Sequence, residues 1–211
     1  MIEHEVFRRS DLLVQNIVEI IDRPMCDGSA RIAVSANLCQ MSIEHCCALR
    51  ALSESRMFAS GFVILRSQFE AVVRAIWVLY CATDEQVQRL ASPLNDASEQ
   101  SAKNLPSVHD MLEALGKVPA AKVPFDALSE FKSYSWKALN SFTHAGIHPL
   151  QRMIDGYPLV LIVQNVRVSN GLAMIAAMQV CVLTGIPNLQ RELLPLNGRF
   201  HDCLPDHRSS P

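Results

Sequence analysis

Two short stretches concentrate the side chains able to do chemistry. In the first, Arg66-Ser67-Gln68-Phe69-Glu70 followed by Arg74, spacings of four place Arg66, Glu70 and Arg74 along one helical edge beside Phe62 and Phe69. Such a row is either a solvent-facing ladder of ion pairs, worth about 0.3–0.5 kcal/mol per pair, or a half-buried Arg–Glu pair that positions a substrate or a neighbouring histidine. The second stretch runs from Asn140 to Arg152 and gathers an amide, His144, His148 and an arginine around a helix end. On the helical period set by Phe131 and Phe142, residues Trp136, Asn140 and His144 fall on the opposite face. They therefore face solvent, another helix or a second subunit. A histidine there is either a surface or capping residue favoured by the helix macrodipole, or an acid–base group whose ordinary pKa lies near neutrality.

Metal and thiol chemistry find little support. His144 and His148 have the i,i+4 spacing of a chelating pair, but Gly146 and Pro149 break the helix needed to align them, and no third ligand stands nearby. No metal site is expected. Cys39, Cys46 and Cys181 fall where core residues belong, as do Met174 and Met178, and nothing beside the cysteines would lower a thiol pKa. There is no Gly-rich phosphate loop and no DNA-specific motif, so no cofactor is expected.

The elements that must position these groups are helical. Val6, Leu13, Ile17 and Ile20 form one stripe that stops at Pro24 and Asp27-Gly28; Ile32, Ala36, Cys39, Ile43 and Cys46 form a second, and the short connection between them predicts an antiparallel pair. Phe58, Phe62, Leu65, Phe69, Val72, Ile76 and Leu79 keep a four-three alternation for three heptads, which predicts a central bundle helix. From Asp84 to Asn104 the polar composition around Pro93 predicts a surface loop with at most one frayed turn. Ser107 starts a short capped helix ending at Gly116. Leu128 to Ala145 give a helix over about 126–144, IHPLQRMIDGY reads as a loop, and a last helical tract spans about 159–184, closed by Gly185 and Pro187. No alternating strand pattern or internal repeat appears. The expectation is an all-α protein, a single helical bundle of about five to six helices over residues 1–196, with 197–211 a disordered tail.

Composition bounds the rest. With 211 residues, 49% of them hydrophobic, the chain can bury one full core. A net charge of −2 and a pI near 6.4 give no general pull toward nucleic acid or anionic membrane. Seven cysteines without a C-x-x-C pair point to a reduced, cytoplasmic protein, and the charged N-terminus lacks the apolar run of a signal peptide. The apolar tract 158–186 is interrupted by Gln164, Asn165, Arg167, Ser169 and Asn170, which predicts a core helix and no membrane span.

A helix carrying Leu65-Arg66-Ser67-x-x-Glu70, followed by one ending Asn140-x-x-x-His144-x-Gly146, resembles uncharacterised bacterial all-α proteins related to the HEPN superfamily. The similarity runs from about Leu65 to Arg152. It implies a metal-independent ribonuclease of toxin–antitoxin or phage-defence systems, whose R-x4-6-H residues meet across a homodimer interface. On that pattern Asn140 and His144 match the asparagine and histidine, whereas the arginine expected before the asparagine is Leu139. Arg66 or Arg152 would then have to supply the cation.

Two functions follow. As an enzyme, a dimer would cleave RNA with His144 taking the 2′-hydroxyl proton, Asn140 orienting it, Arg66 (positioned by Glu70) or Arg152 contacting the phosphate to stabilise phosphorane charge, and Arg152, His148 and Arg74 holding substrate. As an interaction module, the same helices would dock an antitoxin-like protein partner or sense a ligand without catalysis; Leu139 and the neutral-to-acidic charge favour this alternative.

Overall fold

The chain's helical periods and cap residues set its architecture, which a computed structural model describes for residues 2–96, 100 and 104–205. Nine α-helices form among the described residues: α1 (Ile2–Ile21), α2 (Ala30–Glu54), α3 (Phe58–Tyr80), α4 (Asp84–Ala91), α5 (Val108–Leu115), α6 (Lys122–Thr143), α7 (Ile147–Asp155), α8 (Leu159–Thr184) and α9 (Leu189–Arg199). The described residues contain no strand, so the all-α expectation holds, while five to six helices undercounts them.

The missed helices have local causes. Within the expected 84–104 loop, Thr83 and Gln86 form a reciprocal capping box that starts α4, and Val87 is buried. Residues 97–99 and 101–103 of that stretch lie outside the described residues. In α7 Pro149 sits in the first turn, where its missing N–H has no helical acceptor to serve. Residues 197–205, expected to open a disordered tail, are packed: Phe200 and Cys203 are fully buried, Arg9 lies over the Phe200 ring at 4.5 Å, and its Nε reaches Asp202 at 2.8 Å. Their apolar anchors, Phe200, Cys203 and Leu204, are too few for a periodic signal but fill the groove beside α1 and α8.

The core lies where α1, α2 and α3 surround α8. The α3 stripe buries Phe62, Leu65, Phe69, Val72 and Ile76 as expected, and α3 also buries Gln68, Ala71, Val73, Ala75 and Trp77 on a second face. That makes it the central helix, packed most closely with α2 and also against α5, α6 and α8. On α2 the buried seam is Ile32, Ser35, Cys39, Ser42, Cys46, Leu49 and Ser53, so serines occupy positions where Ala36 and Ile43 were expected. Small side chains at those positions admit a close neighbour; Ser35 Oγ donates to the Ala75 carbonyl at 2.8 Å, whereas Ser42 Oγ is buried without a protein partner. Contrary to the expected antiparallel pair, α1 touches α2 only lightly and packs mainly on α8. The connector between them crosses the end of α8, where the Cys26 N–H donates to the Leu183 carbonyl.

Of the polar residues that interrupt the 158–186 tract, Ser169 and Asn170 join Gln179 in a buried network, while Gln164 is exposed and Asn165 Oδ1 is buried without a protein partner. Gln68 Nε2 donates to the Ser169 carbonyl and Ser169 Oγ donates back to Gln68 Oε1 at 2.6 Å; Asn170 Nδ2 donates to Ser10 Oγ and to the Cys203 carbonyl; Gln179 Nε2 donates to Ser35 Oγ. Helix α8 is long and apolar enough to cross a membrane by length and composition, but 67% of its most apolar window is buried among the other helices. It ends at Gly185, whose φ of +66° is the left-handed cap conformation that favours glycine.

Candidate functional site

Helices α3 and α6 zip together through aromatic rings. Phe62 stacks on Phe142 at 4.4 Å between centroids and Phe69 on Phe131 at 4.5 Å, so the two helices run antiparallel in register. Arg66, between those two contacts, therefore meets the middle of α6, with its guanidinium carbon 4.9 Å from the centre of the Trp136 ring. Glu70 holds the other side of that guanidinium at 2.8 Å. The side chains of Arg66 and Glu70 are 19% and 32% exposed, which makes them a half-buried pair and not a solvent ladder.

Trp136 thus differs from expectation. It sits at the flank of the α6 seam, and its large ring reaches inward to make an edge-on contact with Phe69 at 5.7 Å. Asn140, one turn on, is half-buried, and its Oδ1 is shielded from water without a protein partner; the same is true of the Nε atoms of Arg66 and Arg74. Arg74, expected to continue the ladder, has no ion pair among the described residues. Leu139, in the place of the missing arginine, is buried core.

His144 caps α6, with its backbone N–H donating to the Asn140 carbonyl at 3.1 Å and its ring exposed. The chain then reverses through Ala145, at φ +51°, and Gly146. A Cβ on Gly146 would stand 2.6 Å from Ser141 Oγ, and that hydroxyl accepts the His148 N–H at 3.1 Å, so Ser141 closes the start of α7 and only glycine fits beside it. His148 is exposed, and Arg152 is half-buried near Tyr157; burial pushes the Tyr157 hydroxyl pKa up while the Arg152 charge pulls it down.

The structure therefore brings together Arg66, Glu70 and Trp136, and separately lines up His144, His148 and Arg152 around the α6–α7 corner. No hydrogen bond or ion pair joins the His144 ring to Arg66, Glu70, Arg152 or the Asn140 side chain among the described residues. Nor do three His, Cys, Asp or Glu side chains gather into a metal-holding group among them. The core cysteines are chemically quiet, because burial pushes Cys46 to about 12 and Cys181 and Cys203 to about 11.

Sequence reasoning missed the most unusual surface of the molecule. Helix α7 has no buried residue, and Ile147, Leu150, Met153 and Ile154 are 67%, 59%, 73% and 76% exposed; Val160, at the start of α8, adds 75%. The signal was present in the three-four spacing of 147, 150 and 154 and in the stop at Gly156, masked by Pro149.

No curated protein and no solved structure matches the chain significantly. Residues 39–206, which hold the α3–α6 aromatic contact, the α6–α7 corner and the buried α8 network, match the Family of unknown function (DUF6988), and the chain belongs to that family.

Proposed function

We propose that the protein is a cytoplasmic, self-associating helical module that works as a two-fold dimer joined along α7. The observation that carries this reading is the α7 face. Nine residues are too few to hold a helix by propensity alone, and five large apolar side chains at about 100 Å² each expose roughly 500 Å² of apolar surface, in the upper part of the range for a monomer's largest patch and about two thirds of one side of a standard interface. A second copy fits this face by shape: Ile147, Leu150 and Ile154 repeat at three-four spacing along one edge of α7, and antiparallel pairing about a two-fold axis sets that apolar row against itself, with Arg152 and Asp155 on the opposite edge. Light scattering should give twice the 23.4 kDa of one chain, and Leu150→Glu with Ile154→Glu should return it to one chain. A wild-type monomer at tens of micromolar would refute the reading.

A second reading, metal-independent RNA cleavage of the HEPN type in a toxin–antitoxin or phage-defence setting, draws support from His144 and His148, both exposed at the α6–α7 corner. It predicts cleavage of single-stranded RNA in EDTA that His144→Ala lowers by about 10²- to 10⁴-fold with helicity intact. Intact RNA from pH 6 to 8 would leave the binding module alone.

A further inference from the structure

A second concave site lies at the end of the bundle, where the start of α1, the end of α2 and the starts of α3 and α8 enclose a cavity of about 240 Å³. Its floor is apolar, formed by Phe7, Phe58 and Ile162. Its rim is cationic. Arg56 and His4 are exposed there without an ion pair or side-chain hydrogen bond among the described residues, and the carboxylate at the rim, Glu54, is engaged by Arg50 at 3.1 Å. Tyr157 completes the wall, with a buried hydroxyl that has no protein partner.

Backbone polarity points the same way. The helices α3 and α8 both begin at this cavity, after Met57 and Pro158, with no side-chain cap and no acidic residue in the first turn. Their first N–H groups, at Phe58 and Leu159 on the cavity wall, are left for water or a ligand to accept. Arg56 is held at the mouth by a backbone φ of +59°, a left-handed conformation that a non-glycine residue adopts at a cost and that gathers at ligand-binding turns.

We infer that this cavity binds a small organic carboxylate, its apolar body on Phe7, Phe58 and Ile162 and its charge at Arg56 and the two helix starts. The size agrees, because 240 Å³ falls below the roughly 300–1,000 Å³ of drug-sized sites and suits a compact ligand. The cavity takes Tyr157 and Leu159 from the segment that follows α7, but none of its lining residues is one of the five apolar side chains of the self-association face.

Benzoate and its neutral isostere benzamide test the site on the full chain by two-dimensional NMR titration. Benzoate should shift resonances of Phe58, Tyr157 and Ile162 saturably, and benzamide should bind at least tenfold more weakly. Arg56→Gly, which accepts φ +59° without strain, should weaken benzoate at least tenfold while melting no lower than wild type. If that variant does not fold, Arg56→Gln carries the same expectation. Benzamide binding as tightly as benzoate, shifts confined to other parts of the molecule, or unchanged benzoate affinity in the folded Arg56 variant would each overturn the inference.

Discussion

The interior of α8 and the α3–α6–α7 side of the molecule treat polar and apolar groups differently. Around α8, Gln68, Ser169, Asn170 and Gln179 are buried, and each is hydrogen-bonded to side chains or carbonyls of neighbouring elements, while Asn165 Oδ1 and Ser42 Oγ lack a protein partner. On the other side the Nε atoms of Arg66 and Arg74, Asn140 Oδ1 and the Tyr157 hydroxyl are shielded from water without a partner, and large apolar side chains of α7 stand in water. A buried network of cross-element bonds fixes one register of helices. Exposed apolar side chains add nothing to the core of the single chain and are open to a partner.

The largest expected effect belongs to the aromatic contact between the two regions. Phe69 is fully buried and meets both Phe131 and Trp136, so Phe69→Ala should lower stability by about 3–5 kcal/mol in denaturant titration. A loss below about 1 kcal/mol would mean that α6 does not pack on α3 as described. Next comes the α8 network. Asn170→Ala removes the donor to the Cys203 carbonyl and to Ser10 Oγ, which keeps its own bond to the Val6 carbonyl, and the acceptor of Cys46 Sγ, and should cost about 2–3 kcal/mol. By contrast, Leu150→Glu on α7 should change monomer stability by no more than about 0.5 kcal/mol, because the side chain is already exposed. A loss comparable to that of Asn170→Ala would erase the contrast between the two regions.

The smallest effect is a pH dependence at the strap of residues 199–205. The bonded Arg9 guanidinium holds the Asp202 carboxyl below its usual range. A depressed carboxyl stabilises the folded state above its unfolded pKa of about 3.9 and loses that contribution as pH falls through the folded value. The protection factors of the strap amides against hydrogen exchange should therefore fall below about pH 4 in wild type, and Asp202→Asn should show the low protection already at neutral pH. A strap insensitive to both would mean that Phe200 alone anchors it.

The same contrast explains what could be read in advance. The α3 stripe was legible because its large apolar residues repeat with the helix period, and the polar interruptions of 158–186 correctly argued for a core helix. The serines of α2 were not legible as seam, because Ser35 and Ser42 show no hydrophobicity and are buried only by the approach of a neighbour. The Arg66–Glu70 pair was visible in its spacing, but its half-burial depends on Trp136, which comes seventy positions later in the chain. Helix α7 was hidden by a proline that its first turn tolerates. The cavity at the bundle end left no linear signal, since its walls come from four separate elements.

The central claim is that α7 pairs with α7 of a second copy, and placing charge on its apolar row, read by light scattering, tests it most directly. Leu150→Glu and Ile154→Glu should each move the mass toward one chain, because both side chains are exposed in the single chain and a buried, unpaired carboxylate at the interface is costly, while Leu150→Met should keep the wild-type mass at the same concentration. Single glutamates that leave the dimer intact, or Leu150→Met that dissociates it as far as Leu150→Glu does, would contradict pairing along this helix.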